Sequence, residues 1–201
     1  PVLYQSTRLT AYREALEALQ SQDLVYPCGC SRRDLVDERY PGTCAHGLPP
    51  GKEARAWRVR TTGELAETSG DFVLLRADGI FAYQLAVVVD DAYQRITDVV
   101  RGADLLDSTP RQLYLQDLLG YPHPRYIHVP VVLAADGQKL SKQTGATPLD
   151  RNRAGELLWE ALTFLGHRPP LELRLAPVGE VWTWAFTTCR SEEHTSELQS
   201  H

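Results

Sequence analysis

The sequence predicts an α/β fold with a loop-rich, cysteine-bearing insert ahead of its main sheet. Three observations predict it. Helical apolar periods alternate with short apolar runs across residues 70–165, the pattern of a sheet flanked by helices. Three of the four cysteines fall within 17 positions, in a segment dense in glycine and proline. A length of 201 residues with 43% hydrophobic content suffices for one core and a small insert.

Taken in order, TRLTAYREALEALQ (7–20) places Leu9, Tyr12, Leu16 and Leu19 on one face of an amphipathic helix. In VYPCGCSRRDL, Pro27 and Gly29 break regular structure, and Ser31 with Asp34 offers a helix start. YPGTCAHGLPPGK is then expected to be loop until about Trp57. Phe72–Arg76 and Ile80–Tyr83 flank Ala77-Asp78-Gly79, which predicts a hairpin with positive φ at the glycine. QLAVVVDDAY fits strand or helix equally by period, and Ile96–Arg101 reads as a short buried strand.

STPRQLYLQDLLG predicts a helix with Thr109 as N-cap, Pro110 at the first position, Gln112 closing a capping box and Gly120 past the end. YIHVPVVLAADGQKLSK is an apolar strand running into a lysine-rich loop. GELLWEALTFLG is a last helical stretch carrying Leu158, Ala161, Leu162 and Leu165, stopped by Gly166 with Pro169 and Pro170 beyond.

Both ends are unusual. The chain starts PVLYQSTRL and contains no methionine, so it is expected to be a piece lacking an amino-terminal part. RSEEHTSELQSH (190–201) has neither apolar period nor cap chemistry and reads as a translated adapter. Without it the formal charge moves from −5 to −3, which argues against a uniformly basic nucleic-acid binder. No run reaches the roughly 18 apolar residues of a membrane span, and no leader opens the chain, so a cytoplasmic location is expected.

Cys28, Cys30 and Cys44 supply three soft thiolates, and a closed structural zinc site needs a fourth ligand. Two candidates stand open. His46 would mirror the Cys28-x-Cys30 spacing, and Tyr40 offers a phenolate four positions before Cys44. Around this cluster Arg32, Arg33, Arg39, Lys52, Arg55, Arg58 and Arg60 outnumber Asp34, Asp37, Glu38 and Glu53, a candidate nucleic-acid-facing surface. In DGQKLSKQTG, Lys139, Ser141 and Lys142 could neutralise charge on a leaving pyrophosphate, although a charged hairpin tip explains the same residues.

KLSKQ (139–143) resembles the KMSKS signature of class I aminoacyl-tRNA synthetases, and AYQLAVVVDDAYQRITDVVRGADLLDSTPRQ resembles their glutamyl and glutaminyl branch. YPCGCSRRDL with YPGTCAHG narrows the resemblance to the glutamyl-Q tRNA(Asp) synthetase family, over about residues 4–186. The resemblance implies a partial Rossmann-like nucleotide-binding fold with a zinc-binding insert and C-terminal helices. Its divisions would be 1–25, a remnant of the nucleotide-binding domain; 26–60, the insert; 61–150, the rest of the catalytic domain; 151–189, a helical segment; and 190–201, non-native.

By the same resemblance, zinc is held by Cys28, Cys30, Tyr40 and Cys44, which displaces His46. Tyr83 and Arg101 bind glutamate, Lys142 with Ser141 contacts ATP, and Lys139 supports Lys142. Glutamate would be activated by ATP, with Mg²⁺ on the phosphates, and transferred to queuosine in the anticodon of tRNA(Asp) by a monomeric enzyme. Two alternatives are a truncated glutamyl-tRNA synthetase charging the 3′ end of tRNA(Glu) and a zinc-stabilised tRNA-binding relic without catalysis. The family's RFAPSPTGxLHxG-type amino-terminal block is absent, so this chain alone is expected to be inactive.

Overall fold

The computed structural model describes residues 2–36, 39–134, 137, 139, 140 and 148–188. Backbone contacts divide the chain into two units, Pro1–His128 and Val129–His201.

In the first unit, helix α1 (Leu9–Ser21) buries Tyr12, Ala15, Leu16 and Leu19, whereas Leu9, expected on that face, is half exposed. Strand β1 (Val25–Cys28) pairs antiparallel with β2 (Ala56–Val59), which pairs antiparallel with β3 (Val73–Leu75). Helix α2 (Gly63–Thr68) joins the last two. The tip at Ala77-Asp78-Gly79 turns with φ +78° at Gly79, as a Cβ-free residue allows. The second arm of that hairpin is shorter than expected. It amounts to one bridge between Leu75 and Phe81, because Tyr83 already opens helix α3 (Tyr83–Gln94).

The ambiguous QLAVVVDDAY is thus helix, with Leu85, Ala86, Val88 and Val89 turned into the core against Tyr12, Leu19 and Leu74. Asp90 is buried too. It accepts from Tyr12 Oη at 2.6 Å and from Arg8 Nε at 3.1 Å, which ties α1 to α3 through a paired charge.

Strand β4 (Asp98–Gly102) pairs with β5 (Arg125–Val129), so the strands form two sheets rather than one. The expected buried strand is in fact half exposed along its length, with Val100 facing solvent. Helix α4 (Thr109–Leu119) connects them and ends at Gly120 in the left-handed region, as predicted. Its expected capping box is absent. Thr109 and Gln112 make no cap hydrogen bond, because both side chains are drawn to Arg101 instead.

In the second unit, α5 (Ala154–Phe164) and α6 (Val178–Thr188) meet through Leu162, Val181 and Ala185. Of the four α5 residues expected inward, only Leu162 is fully buried; Ala161 and Leu165 are exposed. Gly155 lets the carbonyl of Ala176 approach where a Cβ would stand. Lys139 bridges to Leu133 on the approach to the lysine loop. Ser141, Lys142, Cys189 and the 190–201 tail lie outside the described residues.

Candidate functional site

The cysteine cluster is built by β1 and the loop after it. Cys28 is the last residue of β1, held in register opposite Ala56. Gly29 then passes so close to the returning chain that a Cβ would stand 2.7 Å from the Glu53 carbonyl oxygen. No larger residue fits between the two cysteines without moving backbone. Tyr40 follows a tight bridge between Val36 and Arg39, and Cys44 lies in the turn that Gly42 and Gly47 close.

Cys28, Cys30 and Cys44 are all buried, with their sulfurs within 4.8 Å of one another. Cys30 Sγ lies 3.7 Å from Cys44 Sγ. A tetrahedral ion with metal–sulfur bonds of about 2.3 Å separates two sulfurs by about 3.8 Å, so this spacing fits one. Tyr40 Oη accepts from the Cys44 N–H at 2.8 Å and lies 3.4 Å from Cys28 Sγ and 3.7 Å from Cys30 Sγ. His46 is exposed and outside the group. The residues at hand can therefore hold a four-coordinate ion through three thiolates and one phenolate.

Two cations that sequence reasoning assigned to a solvent-facing surface point inward. Arg58 is 7% exposed; its Nε donates to Cys28 Sγ at 3.3 Å and its guanidinium lies 3.9 Å above the Tyr40 ring. Lys52 Nζ donates to Cys30 Sγ at 3.5 Å and to Asp34 at 3.2 Å. Asp34 also accepts from the Ser31 N–H and hydroxyl, and these bonds with Lys52 hold its carboxyl at about 2. Arg39 and Arg60 are bonded to backbone carbonyls of Glu67 and of Ala45 and Asp23. Four of the seven cations near the cluster are thus engaged within the first unit, whereas Arg33 and Arg55 are exposed.

The second constellation surrounds Arg101 on β4. Its Nη1 donates to Gln112 Oε1 at 2.6 Å, its Nη2 to Thr109 Oγ1 at 2.7 Å and its Nε to His128 Nε2 at 3.2 Å. The guanidinium also lies 4.8 Å from the Tyr126 ring centroid. All four partners are uncharged, His128 because burial, and then the charge of Arg101, keeps its basicity below the ordinary imidazole value. Among the described residues no carboxylate pairs with Arg101. Asp91 on α3 feels its charge, but burial and then Asp90 push that carboxyl up.

A half-buried guanidinium with no anionic partner among the described residues is suited to receive a carboxylate from outside. Tyr83 is half exposed at the first position of α3, beside Gln84, whose Oε1 accepts from Gln112 Nε2 at 2.9 Å. Gln84, Gln112, Thr109 and His128 were not singled out by sequence reasoning for this role, and no local signal marks them. Arg101 reaches Thr109, Gln112 and His128 only through the pairing of β4 with β5 and the start of α4, and Gln84 joins them through Gln112.

Residues 48–163 match the family model of the catalytic domain of class I tRNA synthetases (E and Q). The chain is 51% identical to the glutamyl-Q tRNA(Asp) synthetase of Aromatoleum aromaticum, over 98% of this chain and 70% of that one. It is likewise 51% identical to the enzyme of that name from Thiobacillus denitrificans, over 92% and 69%. Among solved structures, a glutamate tRNA ligase from Elizabethkingia meningosepticum is similar in fold, with TM-score 0.58 and 22% identity over 72% of this chain and 38% of that one. No helix among the described residues is long and apolar enough to cross a membrane.

Proposed function

The chain belongs to the glutamyl-Q tRNA(Asp) synthetases, within the class I tRNA synthetases, and we propose that its substrates are glutamate, ATP and tRNA(Asp) carrying queuosine. The observation that carries the glutamate half of this reading is Arg101, a guanidinium fixed by neutral acceptors and lacking an anion of its own among the described residues.

The chemistry has two steps. An α-carboxylate oxygen of glutamate attacks the α-phosphorus of ATP, and the bond to the bridging oxygen breaks to release pyrophosphate, leaving glutamyl-adenylate. A hydroxyl of queuosine then attacks the activated carbonyl, and AMP leaves. Arg101, with Tyr83 beside it in role, binds a substrate carboxylate and so fixes where the other carboxylate points. Lys139, Ser141 and Lys142, by their likeness to the KMSKS signature, neutralise the phosphates, with Mg²⁺ as their counterpart. Only the first of these three lies among the described residues.

Cys28, Cys30, Tyr40 and Cys44 would hold zinc. Bound there, the ion supplies a structural crosslink for an insert with few apolar contacts of its own. The chain's own part is to bury the thiols, to fix their spacing through Gly29 and to balance their charge with Arg58 and Lys52. The whole catalytic unit is read as a class I nucleotide-binding fold to which this insert is attached.

The reading is tested by glutamate-dependent exchange of pyrophosphate into ATP, using the chain extended to the full length of its curated relatives. Arg101→Met is expected to lower kcat/KM for glutamate by on the order of 10²–10³-fold. Unchanged kinetics would remove Arg101 from the glutamate site.

A further inference from the structure

We propose that Gln84, Thr109, Gln112 and His128 form a positioning shell that aims the Arg101 guanidinium while leaving its charge to the substrate. The inference rests on Arg101 being the carboxylate-binding group. An arginine in a half-buried site commonly takes an acidic partner from its own chain. Here three separate donors of the guanidinium meet an amide oxygen, a hydroxyl and an imidazole nitrogen, supplied by α4 and β5.

The neutrality is built in at each contact. Arg101 Nε can only donate, so His128 Nε2 carries no proton and the imidazole holds its proton on Nδ1. Thr109 Oγ1 lies 3.1 Å from that same Nε2, so one hydroxyl can accept from Nη2 and donate to the imidazole. Gln112 is 1% exposed, and its amide cannot turn over. Its Nε2 is committed to Gln84 Oε1 at 2.9 Å, and Gln84 Nε2 in turn donates to Ser108 Oγ at 3.1 Å. Because Arg101 can only donate, the Gln112 oxygen must face it, and Gln84 takes up the Gln112 Nε2 that this orientation leaves on the far side.

This arrangement makes a sharp distinction between glutamine and glutamate at position 112. Gln112→Glu would place a carboxylate where Oε1 now sits, 2.6 Å from Nη1, and Arg101 would be neutralised from within. The bond from Gln112 Nε2 to Gln84 Oε1 would be lost as well, and Gln84 would have to turn its amide to donate to the new carboxylate.

The test uses the full-length enzyme and steady-state pyrophosphate exchange. Gln112→Glu is expected to raise KM for glutamate by at least about tenfold, with KM for ATP within about threefold of the parent. Thr109→Val, which keeps shape and removes the acceptor, is expected to raise KM for glutamate by about tenfold, and Thr109→Ser to restore it. Should Gln112→Glu fail to fold, the threonine pair alone decides. If Thr109→Val leaves KM for glutamate unchanged while Arg101→Met abolishes saturation, the shell is overturned and the arginine's role stands. If Arg101→Met itself changes nothing, both fall.

Discussion

Arg58 Nε lies 3.3 Å from Cys28 Sγ, with the same guanidinium 3.9 Å above the Tyr40 ring. One buried cation therefore touches two of the four groups that converge in the insert. Three thiolates and a phenolate around a divalent ion carry a net charge of −2, and Arg58 with Lys52 supplies +2. Arg58→Met is expected to weaken zinc binding by about 10–100-fold, the usual cost of losing a group that supports a metal ligand. Competition against a chromophoric chelator measures it, and Lys52→Met, more exposed, should have the smaller effect.

Gly29→Ala would press a methyl against the Glu53 carbonyl, 2.7 Å from the new Cβ. Because the obstacle is backbone, the loop must shift and the two sulfurs of Cys28-x-Cys30 with it. A loss of about 1–3 kcal/mol, together with weakened metal retention, is expected in thermal unfolding with and without chelator. An unchanged melting profile would mean that residues 52 and 53 move aside freely.

Helix α1 is legible in the sequence through its apolar period, α4 through Pro110 and Gly120, and α5 through an apolar period that stops at Gly166, all signals that act over short range. The capping box at Thr109 and Gln112 is the instructive exception. Its pattern of residues is local, but a guanidinium arriving from β4 offers both side chains a charged donor, a stronger bond than a helix N–H provides. The choice between Tyr40 and His46 is hidden for a similar reason. Nothing in the spacing shows that Arg58, on β2, will cover the face of Tyr40 and bury it, while His46 stays at the surface. The three thiols, by contrast, are legible at once, since three cysteines within 17 positions suggest one shared ligand whatever buries them.

Tyr12→Phe removes the hydroxyl that donates to buried Asp90 at 2.6 Å and leaves Arg8 as the carboxylate's remaining partner among the hydrogen bonds described. The ring still fills its place against Phe81. The expected cost is about 1–3 kcal/mol in urea unfolding, with the denaturant slope unchanged. A change below about 0.5 kcal/mol would show that Arg8 alone satisfies Asp90.

In the second unit, a hydrogen bond from Arg153 lowers the Glu156 carboxyl below its ordinary value, with Arg174 adding to the effect. A depressed carboxyl stabilises the fold above the unfolded value of about 4.5, and that contribution fades as pH falls through the lower folded value. Trp159, Trp182 and Trp184, three of the four tryptophans, lie in this unit, so in a Trp57→Phe background tryptophan fluorescence follows it. Acid titration is expected to show a loss of stability that sets in as pH falls below about 4.5 and that Glu156→Gln reduces. A loss identical in the variant would assign it elsewhere.

Transfer of labelled glutamate decides the central claim, with the chain extended to the full length of its curated relatives and given ATP and tRNA. Incorporation into tRNA(Asp) that carries queuosine, stable to removal of the 3′ terminal adenosine and absent from unmodified tRNA(Asp) and tRNA(Glu), is the expected result. Label found instead on the 3′ end of tRNA(Glu) would contradict it.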